Sequence, residues 1–303
     1  MFSYEIIKKR VLVIGANGLL GQNLMAFFSS KENIELLGCS IEEKPFYDFA
    51  LYVRCDVSLR EDVKKVIFDF FPDVVINASG FTNVDLCEKE RATAWEINVK
   101  GVEYIAEACR SIDAKIIHIS TDYIFNGLNG PYDEYAKADP LGYYGRTKLA
   151  SENALKIGAV VYSIIRTNVL YGIANSRPDF VRWVIKSLSE KKAIRIVTDQ
   201  INNPTFVEDL VQAISKIIGL EKYGLYNIGG RDFINRFEFA AVIAEYFNLD
   251  KNLIQPITTD ELKQMAKRPL KSGLITIKAE TELGYKPHSI IETLAIIKKQ
   301  LDF

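Results

Sequence analysis

The fold class that this chain predicts is α/β: a doubly wound parallel sheet with a smaller C-terminal α/β lobe. Three observations carry it. Short apolar runs alternate with helical stretches through the first half of the 303 residues, the pattern of a parallel sheet covered by helices. The first run, Val11-Leu-Val-Ile14, leads directly into Gly15-Ala-Asn-Gly18-Leu-Leu-Gly21, a glycine spacing that turns a strand into a helix around a phosphate. Beyond Gly172 the alternation loosens into shorter elements, which reads as a second lobe over the carboxyl edge of the sheet, where open α/β sheets take their ligands.

Residues 11–14 are the first strand, apolar and rich in β-branched side chains. A helix over 18–29 follows, then strand two at 34–39 and a short strand three at 52–55. The helix over 59–70 stops before Pro72, which disfavours helical backbone in the residue preceding it. Strand four is 74–77, a long helix spans 88–108, and strand five is 115–119. A helix over 143–155 precedes strand six at 160–166. Six strands with interleaved helices match the Rossmann-like dinucleotide-binding arrangement. Further on come a helix at 178–189, a strand at 193–198, a helix at 207–218 behind Pro204-Thr205, and one more short strand of the main sheet at 226–228. The tail holds a helix over 237–247, an extended 254–257, a helix over 260–266 and a last one over 290–301. The dinucleotide-binding domain is therefore expected at 1–172, with 203–230 returning to it, and the substrate lobe at 173–202 and 231–303.

Composition narrows the function classes. With 38 Lys and Arg against 39 Asp and Glu, nothing biases the chain toward nucleic acid or an anionic membrane. No run reaches the roughly 18 apolar residues of a spanning helix, and no secretion signal is visible at the N-terminus, so a cytoplasmic protein is expected. Cys39, Cys55, Cys87 and Cys109 lack any C-x-x-C spacing, which points to reduced thiols and no metal site. Only His118 and His288 occur, and no G-x-S-x-G elbow is present to hold a hydrolase serine. His118 lies within strand five and reads as a hydrogen-bonded buried imidazole; His288 follows Pro287 and reads as a loop residue.

The glycine turn, with Gly15, Asn17, Gly18, Leu19, Leu20 and Gly21, suits a pyrophosphate, because backbone N–H groups approach it and the helix N-terminus adds about half a positive charge. The acid that NAD-preferring sites carry at the end of strand two is missing from Cys39-Ser40. A neutral Ser40 tolerates a 2′-phosphate and Lys44 can pair with it, whereas Glu42 and Glu43 argue the other way. NADPH or NADH is expected, with NADPH slightly favoured. Asp56-Val57 can receive the adenine amino group, or Asp56 can serve as a turn residue.

Tyr144 and Lys148 stand four apart and share one helix face. A carbonyl reductase needs a proton donor and a polarising group beside its hydride donor. Tyr144 supplies the proton; lowering a phenol from near 10 to near 7 takes about 4 kcal/mol, with Lys148 and the cationic nicotinamide as the expected sources. Tyr143 lies about 140° away around the helix and is assigned to packing or substrate contact. Thr121, ending strand five, can hydrogen-bond the substrate oxygen, while Ser120 points to the opposite face.

These stretches resemble an extended short-chain dehydrogenase/reductase, and within it the dTDP-4-dehydrorhamnose reductase family. The similarity runs through Gly15 to Gly21, Asn77 to Asp85, Asn98, His118 to Phe125, Tyr144 to Leu149, Arg166-Thr167, Tyr171-Gly172, Asp199-Gln200, Pro204-Thr205, Asp209-Leu210 and Arg268-Pro269, nearly the whole chain. It implies a catalytic set of Thr121, Tyr144 and Lys148. It implies further that Asn77, Ala78, Ser79, Gly80, Asn98 and Arg166 stand on the cofactor side. Thr82, Val84, Asp85, Asp122, Tyr123, Asn168, Val169 and Arg268 would then stand on the side of a nucleotide-sugar substrate, with a homodimer left open as the assembly. Where the family usually has Ser-Trp, this chain has Asn168-Val169. The regulatory β subunits of methionine adenosyltransferase are similar there, and also near Leu37-Gly-Cys39 and Gln255-Pro-Ile-Thr258. Three activities follow from the resemblance: reduction of a 4-keto nucleotide sugar, epimerisation or dehydration on the same scaffold, and NADP binding as a regulatory subunit. Dehydratases place Asp-Glu after the threonine, where Asp122-Tyr123 stand here, which favours the reductase.

Overall fold

The computed structural model describes residues 8–175 and 178–301; the first seven positions, including most of the charged N-terminal segment, lie outside them. Its centre is a seven-stranded sheet in the order β3-β2-β1-β4-β5-β6-β9, all parallel. These strands are β1 (Lys9–Ile14), β2 (Ile34–Ser40), β3 (Leu51–Arg54), β4 (Val74–Asn77), β5 (Lys115–Thr121), β6 (Tyr162–Thr167) and β9 (Gly224–Asn227). The first six have the 3-2-1-4-5-6 order of a doubly wound dinucleotide fold, and β9 adds the seventh strand expected near 226–228.

Alternate side chains of each strand serve opposite layers. Val11 and Val13 of β1 join the core under α1 (Leu19–Ser29) and α8 (Val207–Leu220), whereas Leu12 and Ile14 join the core under α2 (Arg60–Phe70) and α5 (Gly101–Ser111). Because both faces are covered, β4 is buried at every position, which is why its sequence is an unbroken apolar run up to Asn77. A third core joins α7 (Phe180–Ser189), α9 (Arg236–Tyr246) and α12 (Ile290–Gln300) around Tyr171, Phe206 and Phe239. Beside it β7 (Ile194–Val197) pairs with β11 (Ile254–Ile257), and β8 (Ile201–Asn202) pairs with β10 (Ile234–Asn235).

Three expectations change. The helix expected over 88–108 is divided into α3 (Val84–Lys89), α4 (Arg91–Trp95), a π-turn at Glu96–Lys100, and α5. The helix expected over 260–266 is a single turn, α10 (Thr259–Leu262), which ends where Lys263 adopts a left-handed φ of 50°. A helix not foreseen, α11 (Ile277–Leu283), packs on α8. Among the described residues no helix is long and apolar enough to cross a membrane.

Candidate active site

The glycine turn is pinned on two sides. Gly15 and Ala16 both donate to the Cys39 carbonyl, at 2.8 and 3.0 Å, and Ala78 donates to the Ile14 carbonyl at 2.9 Å. Gly15 has φ +84°, and a Cβ there would lie 2.7 Å from the Ser79 nitrogen, so only glycine allows β1 and β4 to end this close together. The first turn of α1 holds no acidic residue, and its N-cap, Gly18, makes no side-chain cap. Its N-terminal dipole is therefore uncancelled, and the backbone cradle fits a pyrophosphate. Leu20 is buried in the core beneath the turn and Leu19 packs against that core.

The side chain of Asn17 turns to the loop after β2. Its Nδ2 donates to Glu42 Oε2 and to the Lys44 carbonyl, both at 3.0 Å, and its Oδ1 accepts from the Phe46 nitrogen at 3.0 Å. Ser40 hydrogen-bonds Glu42. Asp56 proves to be a turn aspartate, with Oδ1 accepting from the Ser58 nitrogen at 2.9 Å and the Ser58 hydroxyl at 2.7 Å, and Val57 is buried in the core.

At the end of β4, Asn77 Oδ1 takes both the Ser79 nitrogen and hydroxyl, at 3.1 and 2.6 Å. Exposed Gly80 and Thr82 continue this segment. Asn98, set inward by the π-turn, accepts from the Phe81 nitrogen at 2.8 Å and donates to Thr147 Oγ1 at 3.0 Å. It thereby ties that segment to α6 (Tyr143–Ile157). Such one-turn widenings recur at functional sites because they re-aim one side chain.

Thr121 closes β5 and Tyr144 lies in the first turn of α6. A Cβ on Gly145 would stand 2.1 Å from the Tyr123 carbonyl, so glycine lets α6 rest directly on the turn after β5. The Tyr144 phenol then shares a hydrogen bond with Thr121 and meets the Tyr123 ring edge-on at 6.0 Å. Burial pushes the phenol above its ordinary range, and the Thr121 bond offsets only part of this. The Lys148 amine does not offset this shift; its Nζ is 3.2 Å from His118 Nε2.

His118 is fully buried, as its strand position suggested, but it stands inside the site. With Asn77 Oδ1 occupied, the Asn77 amide donates to Nδ1 at 3.2 Å. Nε2–H then donates to Ser151 at 3.0 Å, and Ser151 donates to the Lys148 carbonyl at 2.7 Å. Burial brings Lys148 down to about 8, and the Glu152 carboxylate opposes that shift.

Two expected site residues face inward. Arg166 is held away from the glycine turn by a buried pair, Nε and Nη2 meeting the two Glu152 oxygens at 3.0 and 2.8 Å, since a guanidinium removed from water requires a bidentate carboxylate. Asn168 is buried as well, donating to Asn203 Oδ1 at 2.8 Å. Val169 follows with φ +35°, a strained conformation for a β-branched residue. Ser120 turns away from Thr121 to Glu152, at 2.6 Å.

Across the cleft, Asp85 and Arg268 form a bidentate pair at 2.9 and 2.8 Å, and Val84 begins the helix bearing Asp85. Asp122 is buried between Thr121 and the Ser272 hydroxyl, and burial raises its carboxyl to about 7. Sequence reasoning missed Arg236. It hydrogen-bonds Tyr123, faces Asp122 and Arg268, and lies over the Phe180 ring at 5.1 Å. One signal was available: a cation in the first turn of a helix opposes the macrodipole, so an arginine there calls for a partner elsewhere.

A family model, the RmlD substrate binding domain, matches residues 9–302. A dTDP-4-dehydrorhamnose reductase of Aggregatibacter actinomycetemcomitans is 32% identical over 290 residues, 92% of this chain and 94% of that enzyme. The crystal structure of a dTDP-4-dehydrorhamnose reductase from Bacillus anthracis in complex with NADP superimposes with a TM-score of 0.87 at 32% identity, covering 97% of this chain and 99% of that one. The methionine adenosyltransferase 2 subunit beta of Rattus norvegicus is 30% identical over 285 residues, 91% of this chain and 83% of that subunit. With the glycine cradle, the Thr121–Tyr144 contact and a family match along nearly its full length, the chain belongs to the RmlD substrate binding domain family.

Proposed function

We propose that this chain is an NAD(P)H-dependent oxidoreductase that reduces the C4 ketone of a nucleotide-linked 4-keto-6-deoxy sugar, as dTDP-4-dehydrorhamnose reductases do. The observation that carries the reading is the hydrogen bond between Tyr144 and Thr121, where α6 meets the carboxyl end of β5 in a sheet that also bears a phosphate cradle, with Lys148 one turn further along the same helix. A nicotinamide dinucleotide held at the glycine turn would supply the hydride. Tyr144, held protonated by burial, is the acid form that a ketone oxygen requires, and Thr121 orients that oxygen. Lys148, brought down only to about 8 and so charged at neutral pH, is the cation of the same helix that would offset the phenoxide once Tyr144 has given up its proton. Arg236 and Arg268 present two guanidiniums to the same cleft, which suits the diphosphate of a nucleotide sugar. The division into a dinucleotide-binding part, 1–172 with 203–230, and a substrate lobe belongs to this reading.

Tyr144→Phe is expected to lower kcat with the keto-sugar by about 100-fold or more while NAD(P)H still binds. Turnover equal to that of the parent protein removes Tyr144 as the proton donor. A second reading, a regulatory subunit, is favoured by the likeness to the methionine adenosyltransferase β subunit. Stable association with such an enzyme, with no oxidation of NAD(P)H by any 4-keto sugar, would select it.

A further inference from the structure

Glu42 stands 21 positions beyond Gly21, two residues past the end of β2. The loop it begins is folded back over the glycine turn. Asn17, which directly precedes Gly18, bonds Glu42 Oε2 at 3.0 Å and also takes the Lys44 carbonyl and the Phe46 nitrogen. Tyr52 fixes the same place from β3, its hydroxyl donating to the Glu42 carbonyl at 2.5 Å. The carboxylate is thus held on the turn itself, about 20 residues after the glycines, where dinucleotide sites place the acid that accepts the adenosine ribose hydroxyls. Desolvation opposes its ionisation, but the bonds from its own backbone N–H, Ser40 and Asn17 outweigh that and hold the carboxyl below its ordinary range.

We propose that Glu42 is the specificity-determining residue of the dinucleotide site and makes this protein prefer NADH to NADPH. The inference rests on the reading that the glycine turn holds a nicotinamide dinucleotide. Ribose hydroxyls donate to a carboxylate, whereas a 2′-phosphate brought to the same place meets like charge and loses affinity. The cations nearby do not reverse this. Arg54 is paired with Glu43 at 3.2 Å and lies 3.9 Å from Asp62, and Lys44 meets the turn through its carbonyl while its side chain is exposed. The sequence already set Glu42 and Glu43 against a 2′-phosphate, and the loop geometry adds that the Glu42 carboxylate is returned to the strand end.

Equilibrium titrations of the whole protein with NADH and with NADPH, followed by nicotinamide fluorescence or calorimetry, test this without any turnover. The parent protein is expected to bind NADH about tenfold or more tightly than NADPH. Glu42→Gln, which keeps an acceptor for Asn17, is expected to bring the two constants within about threefold, and Glu42→Arg to reverse their order. Parent protein that binds NADPH as well as or better than NADH overturns the inference whatever the variants do. So does a Glu42→Gln variant that binds NADH with an undiminished preference. Failure to bind either dinucleotide would sink the proposed function itself, and this inference with it.

Discussion

A lysine buried to 4% exposure and brought down to about 8 works against the fold at neutral pH. Below about 8 both folded and unfolded chains hold the Lys148 proton, and the full cost of a buried charge is present. Between about 8 and the ordinary 10.5 only the unfolded chain holds it, so this contribution to stability rises with pH across that window. Lys148→Met is therefore expected to be more stable than the parent by roughly 3 kcal/mol at pH 7, with the gain shrinking toward pH 10, while reductase turnover is lost. Denaturant melts of both proteins at the two pH values check it; a constant difference would refute the buried charge. The placement of Thr121 at a strand end and of Tyr144 and Lys148 on one helix was legible in the sequence, because a helical i, i+4 pair and a strand end are local features. The arrangements of Arg166 and Asn168 were not, because they depend on Glu152 and Asn203, whose approach is set by tertiary packing. His118 was read correctly as buried and bonded, but its neighbour Lys148 comes from another element.

Among the elements, α6 needs its close seat on the turn after β5 if a phenol on the helix is to reach a hydroxyl on the strand. Gly145 provides that seat, since a methyl there would meet the Tyr123 carbonyl at 2.1 Å, a backbone atom that cannot rotate away. Gly145→Ala is expected to lift the start of α6, destabilise the fold by about 1–3 kcal/mol, and lower kcat by about tenfold or more. A stable variant with parent kcat would show that Tyr144 does not depend on this contact. Strands were the most legible elements, because Val11–Ile14 of β1 and Val74–Ile76 of β4 are unbroken apolar runs, and the apolar run of β5 is interrupted only by His118. The 88–108 segment was not legible in detail. A π-turn adds one residue to a single helical turn without breaking the apolar pattern, so periodicity cannot report it. The seven-residue α11 offers too few turns for a period to emerge.

For the molecule as a whole, the candidate site lies between two bodies of packing, the main sheet with its helices and the third core around Phe239. Polar links from later parts of the chain cross to the sheet side, among them Arg268 to Asp85, Ser272 to Asp122, and Arg236 to Tyr123. The Arg268 link is distinctive because its guanidinium also bonds the Ala266 carbonyl, while Asp85 accepts from the Ala266 nitrogen. One carboxylate thus shapes the 266–268 segment and aims its cation. Asp85→Asn keeps the volume and removes the charge. If Arg268 receives the diphosphate, this change should raise KM for the keto-sugar several-fold, leave kcat within about twofold, and leave NADH binding unaltered, since the glycine turn is built from other residues. Steady-state kinetics beside a cofactor titration separate the outcomes. A fall in kcat at constant KM would place Asp85 in the chemistry, and weakened NADH binding would mean that the two bodies are coupled through this pair.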